Sequence, residues 1–440
     1  MSEILKTKEW LGEFFSSTYE KRFSGKIIYS PENGIILEYT IVGYDVPDGS
    51  DIVFGVLENG RKCTLIGRFD PTLSRMRYQK GFTTRSGRNG FEFLVIGDFL
   101  QENSLFKEVV FSFTNLHEFF SPKGFKDSIK FTGKPLIETI LSYGKLTVGN
   151  TANFISVSSD ISSHIYSENE MAMEDLQKCF KEIEKRHPNS FFMLKKDIDY
   201  YINLTLDLET DIKTLHKYIL DITNLFSILI YNPVSPEDIE IHTGEKENRN
   251  NLEVYPSLFI DKRTLEIATK ELSHFHMPIT HSKIELSKTI KEWSTISNDF
   301  SAIVSSLQTE TGFRSEHLIH SDIVLYATQL ESISYIDGVK NHEKYEWPIN
   351  TYGSEKLKSV LAKIFAKENS NTIGQNIGDL RNEIAHIGKP KKLLRKLSLR
   401  DMIIICQCLQ LVIIAYILNR IGIEEAISKE YQDKFTEFEI

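Results

Sequence analysis

The sequence predicts an α+β protein in which a β-rich N-terminal region is followed by an all-α helical bundle. Two observations carry the prediction. Between Lys26 and residue 280, short alternating or β-branched runs recur between turn-forming residues, the pattern of half-buried strands. Beyond residue 310 strand signals cease, and apolar residues recur every three or four positions, the helical period. The expected organisation is a β-rich region over residues 1–280, a helical connector over 281–310 and a helical domain over 311–440. With 440 residues and 41% hydrophobic content, the chain can build ordinary cores for two or three such units.

Taken in order, residues 1–24 have mixed helical character, with Trp10, Leu11, Phe14 and Phe15 as an apolar patch. Ile27-Ile28-Tyr29, the turn Ser30-Pro31-Glu32-Asn33-Gly34 and the run 35–41 predict a hairpin. A second hairpin is predicted where 52–57 and 63–66 flank Glu58-Asn59-Gly60, with further strands at 91–96 and 109–113. Between these strands, Arg75, Arg77, Lys80, Arg85 and Arg88 form a basic segment with Tyr78 and Phe82 interleaved. A solvated, mobile loop is the ordinary origin of such a run, and contact with RNA or an acidic trigger molecule is the functional alternative. Runs 154–157 and 200–206 read as strands around a helix at 171–185. Residues 209–229 then read as a helix with Ile212, Leu215, Ile219, Ile222, Phe226 and Leu229 on its apolar face, closed by Pro233 and Pro236. Residues 244–251 are a polar turn joining two short strands.

The helical half begins with 283–307. A helix at 322–334 turns Ile323, Tyr326, Leu330 and Ile333 toward a core and leaves Glu331 at its polar edge. Further helices are expected at 356–367, around 377–388 and at 402–421, with polar loops between them such as 342–350, which holds Trp347 and Pro348.

Composition limits the function classes. A formal charge of −9 excludes a surface that grips nucleic acid everywhere, so any RNA site must be a local basic patch. Cys63, Cys179, Cys406 and Cys408 form no CxxC pair, which reads as a reducing cytoplasm. His274, His276 and His281 lack carboxylate or cysteine partners at metal-ligand spacing and read as surface or cap residues. Lys6, Lys8 and Glu13 interrupt any apolar signal core at the start of the chain. The 17-residue run 402–418 is broken by Gln407 and Gln410 and reads as a core or dimer helix, with no membrane partner expected. There is no Gly-rich phosphate loop, nucleophile elbow or paired-carboxylate metal motif, and no cofactor is expected.

The chemistry concentrates in residues 377–388, around Arg381-Asn382-Glu383-Ile384-Ala385-His386. On a helix, Ile377, Leu380, Ile384 and Ile387 form one apolar stripe facing a core. Asn382 and His386 then point away as neighbours four apart, with Arg381 at the flank and room for a ligand between Arg381 and His386. Gly374 and Gly378 extend a small-residue track upstream, each at a cost of about 1 kcal/mol against alanine, so a close approach to that face is expected. Gly388 and Pro390 end the helix.

These residue types suit phosphodiester cleavage in RNA. Histidine can take a proton from a 2′-hydroxyl or give one to a 5′-leaving oxygen near neutral pH. Arginine offers a permanently charged fork to the scissile phosphate, and asparagine can donate to a phosphate oxygen or hold the imidazole in one orientation. No metal is needed, because RNA carries its own nucleophile. One histidine does not easily serve as base and acid together, so a second copy of the motif across a two-fold axis would complete the site, and a dimer is predicted. Lys389, Lys391, Lys392, Arg395, Lys396 and Arg400 follow His386, and a basic loop there would draw RNA phosphates in a salt-dependent way; a merely solvated loop is the alternative. Arg314 and His320 fit a looser spacing, but lack the asparagine and precede a new apolar run.

Arg381-Asn382-x-x-x-His386, in helical surroundings and followed by a basic loop, resembles the motif of the HEPN ribonucleases. Through Gly25-Lys26-Ile27-Ile28-Tyr29-Ser30-Pro31-x-Asn33-Gly34 and Phe113-Thr114-Asn115-Leu116, the wider chain resembles the ApeA-type anti-phage HEPN proteins. The resemblance implies a metal-independent bacterial defence ribonuclease that arrests growth on infection. Its substrate would be RNA, with transfer RNA the family-level candidate, and Arg381 and His386 would act from two protomers of a homodimer or larger assembly. The β-rich region would then sense or regulate, answering a phage-derived trigger. Two other readings stay open: a non-catalytic HEPN module that dimerises or binds a nucleotide, and the toxin half of a toxin–antitoxin pair.

Overall fold

The computed structural model describes residues 3–16, 22–43, 49–79, 81–101, 103–120, 134–156, 165–188, 193–243, 250–301, 303–304, 316–366 and 371–436. Its first part holds fourteen described strands in one antiparallel sheet: β1 (Lys8–Phe15), β2 (Phe23–Ser30), β3 (Gly34–Val42), β4 (Ser50–Leu57), β5 (Lys62–Phe69), β6 (Arg75–Gln79), β7 (Phe82–Phe91), β8 (Phe93–Ile96), β9 (Phe106–Phe113), β10 (Ile137–Leu141), β11 (Gly144–Ser156), β12 (Met193–Thr210), β13 (Pro236–Thr243) and β14 (Asn250–Pro256). Their order across the sheet is β10-β11-β12-β9-β13-β14-β8-β5-β4-β1-β2-β3-β7-β6. Both expected hairpins form, β2 with β3 and β4 with β5.

One stretch of the sheet closes on itself. β7 pairs with β3 while β8 pairs with β5, and the two strands are separated only by Glu92, whose N–H donates to the Ile66 carbonyl at 2.8 Å. The run β5-β4-β1-β2-β3 is therefore bounded on both sides by one continuous piece of chain, the closure of a small barrel, which removes edges from that part of the sheet. Gly67 allows the closure: its φ is +146°, and a Cβ there would meet the Phe91 Cα at 3.1 Å. Inside, the Phe14 ring occupies space left by Gly55, where a Cβ would come within 2.6 Å of it, and Phe69 stacks between Phe23 and Phe91.

Several expectations are corrected here. Residues 8–15 are a central strand, not a helix. The alternation that buries Phe14 is interrupted by Gly12, so no clean period shows, and the strand is fixed by long-range partners β2 and β4. The basic segment is not a loop: Arg75, Arg77, Arg85 and Arg88 lie on the β6–β7 hairpin, whereas Lys80 lies outside the described residues. The helix expected from 209 starts at Ile212, because β12 runs to Thr210 and the Asp211 carboxylate caps the N–H groups of Lys213 and Thr214. It ends at Tyr231, in the left-handed conformation. Helix Glu170–Arg186 and strands β13 and β14 lie where expected, and residues 244–249 of the joining turn are outside the description.

The Ile212–Ile230 helix joins the two halves. Phe226 packs on Phe113 and Phe119 from the sheet side, with ring centroids 4.6 and 5.0 Å away. On the other side Tyr431 donates to the Ile228 carbonyl, Tyr231 donates to Gln410, and Trp293 Nε1 donates to the Asp221 carbonyl. The apolar core is continuous from barrel to bundle. Within the stretch read as 283–307, the described helix is Leu286–Ile296, followed by a 3-10 turn at Ser297–Phe300.

The bundle comprises Glu316–Ile336, Glu346–Tyr352, Glu355–Ala366, Ile373–Ala385, Leu399–Arg420 and Glu425–Phe435. Ile323, Tyr326, Leu330 and Ile333 are all buried, as their spacing requires. Residues 346–350 of the expected polar loop 342–350 fall in the short helix Glu346–Tyr352, because Pro348 sits in its first turn, where no N–H is needed, and Ile349 is buried. The Leu399–Arg420 helix is long and apolar enough to cross a membrane, but 83% of its most apolar window is buried inside the protein, as the central element of the bundle.

Candidate active site

The helix carrying the motif is held at its start by a reciprocal cap. Thr372 Oγ1 accepts from the Gln375 N–H at 3.2 Å, and Gln375 Oε1 accepts from the Thr372 N–H at 3.0 Å. Ile377 and Leu380 are buried and Ile384 half-buried, as the period predicts. Buried Asn376 donates to the carbonyls of Asn371 and Thr372. The glycine track is filled by the chain itself. A Cβ at Gly374 would lie 2.5 Å from the Glu346 backbone nitrogen, and one at Gly378 would lie 3.0 Å from the Tyr345 ring. The Glu346 carboxylate also accepts from the Gly374 N–H, so the close approach anticipated at this face is intramolecular.

Arg381 lies half-buried in the last turns of this helix. Its Nη1 donates to Asn382 Oδ1 at 3.1 Å, so asparagine orients arginine and leaves its own Nδ2 donors without a partner among the described residues. The Arg381 Nε is buried with no hydrogen-bond partner among those residues. Facing it is a small polar cluster. Lys344 Nζ donates to Glu331 Oε1 at 2.6 Å and the Tyr345 hydroxyl donates to Glu331 Oε2 at 3.2 Å. The Lys344 ammonium is the main cause of a Glu331 carboxyl held below its usual range, and the Tyr345 hydroxyl and the Arg381 charge act in the same direction. Arg381 is thus within electrostatic reach of a carboxylate anchored on the neighbouring helix.

His386 departs from the expected geometry. The helix stops at Ala385; the His386 N–H still donates to the Asn382 carbonyl at 3.1 Å, but φ −114° and ψ 117° put the residue in extended conformation. Its side chain leaves the helical track and is exposed, so Asn382 and His386 are not stacked neighbours on one helix face. Ile387 is 100% exposed rather than part of the apolar stripe, and Gly388 lies beyond the helix end rather than terminating it. The cause is a set of bonds that pull the chain back. The Lys389 N–H and Lys391 Nζ donate to the His386 carbonyl at 3.2 and 2.9 Å. Glu383, buried at 7% exposure, accepts from the N–H groups of Leu393 and Leu394 at 3.1 and 2.9 Å. Leu393 and Leu397 are buried under the loop, while Lys389, Lys392, Arg395, Lys396 and Arg400 are exposed around it and Lys391 is half-buried.

Arg381, Asn382 and the basic residues are therefore brought to one end of the motif helix, with His386 projecting from it. Glu331, Lys344, Tyr345 and Glu383 were not singled out as site residues from sequence. Glu383 carried one signal, its position about 60° from Leu380 at the margin of the buried stripe. The looser Arg314 lies outside the described residues, and His320 lies in the Glu316–Ile336 helix. No group of three or more His, Cys, Asp or Glu that could hold a metal ion occurs among the described residues, His274, His276 and His281 included.

The chain matches two family models. Residues 9–293 match the ApeA N-terminal domain 1, and residues 332–427 match the Apea-like HEPN domain, the segment that contains Arg381, Asn382 and His386. No curated protein and no solved structure matches the chain. The first match alone spans more than half of the residues, and with the second it shows that the chain belongs to the ApeA-like HEPN family of anti-phage defence proteins.

Proposed function

We propose that the protein is an endoribonuclease that cleaves RNA, with transfer RNA its first candidate substrate, by metal-independent transesterification in a composite site between two copies of the chain. The reading is carried by one observation: Arg381 is oriented by Asn382 at the end of a capped helix, whose termination presents His386 to solvent beside a basic loop. The 2′-hydroxyl attacks the adjacent phosphorus, its proton passes to one histidine, and the 5′-oxygen leaves with a proton from the histidine of the second protomer. Arg381 stabilises the charge that builds on the phosphate, and the products are a 2′,3′-cyclic phosphate and a 5′-hydroxyl. Lys389, Lys391, Lys392, Arg395 and Lys396 hold the flanking phosphates. Fully exposed Ile387, next to His386, and exposed Leu399 and Ile403 beyond the loop offer apolar surface for the second copy to cover. Release of this activity on infection arrests growth of the host cell.

A binding-only role has one observation in its favour: within a single chain Arg381 is half-buried toward Glu331 while His386 is exposed. Product ends separate the two readings. Total RNA and purified transfer RNA are incubated in EDTA with wild-type and His386→Ala protein, alone and with extract of infected cells. Cyclic phosphate ends that vanish in the variant support the enzyme; inert wild-type protein under both conditions refutes it.

A further inference from the structure

The two edges of the large sheet are treated differently. At one edge β10 is covered: the helix Leu286–Ile296 lies along it, and Thr139 Oγ1 donates to the Ser287 carbonyl at 3.0 Å. At the other edge β6 pairs only with β7, from Arg75↔Ser86 to Gln79↔Phe82, and no described strand pairs with its outer side. Its backbone N–H and C=O groups on that side form a template for adding a strand.

The side chains indicate which strand fits. Alternation puts Arg75 and Arg77 on one face and Met76 and Tyr78 on the other, the last two 56% and 69% exposed. Arg88 on β7 is paired with Glu38 and the Arg85 side chain donates to the Thr72 carbonyl, whereas the Arg75 and Arg77 side chains make no ion pair or hydrogen bond with a described residue. Residues 71–91 hold Arg75, Arg77, Lys80, Arg85 and Arg88 and no Asp or Glu, in a chain of net charge −9. Arginines on an edge also repel another copy of the same edge, which disfavours self-pairing through β6. An alternating acidic and apolar strand satisfies both faces and the backbone together. RNA could meet the arginines and stack on Tyr78, but it has no peptide groups to continue the ladder.

We infer that β6 is a docking edge for an extended acidic peptide of a partner protein, which adds to the sheet with carboxylates opposite Arg75 and Arg77 and apolar side chains against Met76 and Tyr78. The inference stands apart from the ribonuclease reading, because its readout is binding. Full-length protein is titrated into a fluorescein-labelled decapeptide alternating Glu and Val, into the same peptide with proline at alternate valines, and into a labelled uridine decamer, with anisotropy as the signal. The Glu-Val peptide is expected to bind, roughly tenfold or more weakly in Arg75→Glu/Arg77→Glu protein with an unchanged melting temperature. The proline peptide, with the same charge and fewer N–H donors, is expected to lose at least about tenfold. No binding of the Glu-Val peptide, or equal binding of the proline peptide, overturns the inference. Tighter binding of the uridine decamer, lost in the same variant, overturns it in favour of RNA.

Discussion

Replacing Glu383 by alanine is expected to free the basic loop from the motif helix while leaving both halves of the protein folded. Its two oxygens hold the amides of Leu393 and Leu394, and Leu393 is itself buried, so truncation strands two N–H groups in apolar surroundings. Hydrogen bonds to a carboxylate contribute about 1.5–3 kcal/mol each, which makes the pair worth about 3–6 kcal/mol. Part of that is recovered when the loop lifts and water reaches the amides, so the loss in urea unfolding should be about 2–4 kcal/mol. Glu383→Gln keeps one acceptor and should lose about half as much. The decisive assay is amide hydrogen exchange. Protection of Leu393 and Leu394 should collapse in the alanine variant while that of the buried Leu409–Leu418 stretch persists, and RNA cleavage should fall with a shallower salt dependence. Unchanged protection at Leu393 and Leu394 would show that something other than Glu383 anchors the loop, and the reasoning would be wrong.

Gly374→Ala sets a gain of about 1 kcal/mol in helix propensity against a collision with the Glu346 backbone at 2.5 Å, which cannot rotate away. The collision should win, with a net loss of about 1–2 kcal/mol in urea melts, whereas Gly378→Ala, facing the Tyr345 ring at 3.0 Å, should be near neutral; a stabilised Gly374→Ala protein would contradict this packing. The composite site needs one histidine from each protomer, so mixed dimers of wild-type and His386→Ala chains should be nearly as inactive as the variant homodimer, and verified mixed dimers that keep about half of the wild-type activity would rule it out. Burial, with Asp238 and Asp199 nearby, raises Glu237 to about 7. Its contribution is then complete below the ordinary glutamate value of 4.5 and is lost as pH rises toward 7, since the folded state keeps a proton that the unfolded state has released. Glu237→Gln should remove that loss and gain about 1–3 kcal/mol relative to wild type between pH 4.5 and pH 8; parallel pH profiles would refute the assignment.

The readable parts of the sequence were local. The hairpins at β2–β3 and β4–β5 are encoded by alternation around Asn-Gly turns, and the buried positions of the helices by their three- and four-residue spacing. The Arg381, Asn382 and His386 motif and the basic residues after it are legible as residue types at a spacing, which needs no tertiary contact to be recognised. Elements fixed by distant partners were not legible. β1 is a strand because β2 and β4 flank it, and Arg75 to Arg88 form a hairpin because β3 pairs with β7, whereas charge content alone suggested a loop.

At the site the same division holds. Sequence determined that an arginine, an asparagine and a histidine follow one another closely at the end of an amphipathic helix, because periodicity and capping act within a few residues. Tertiary structure decided where that helix ends. A helix persists only while its backbone bonds outcompete alternatives, and here the buried Glu383 carboxylate and the Lys391 ammonium draw the following loop back across its end. His386 leaves the helical track as a result, and Arg381 comes within electrostatic reach of Glu331, on a helix some fifty residues earlier in the chain. Those contacts depend on packing between distant segments, which no local pattern in the sequence encodes.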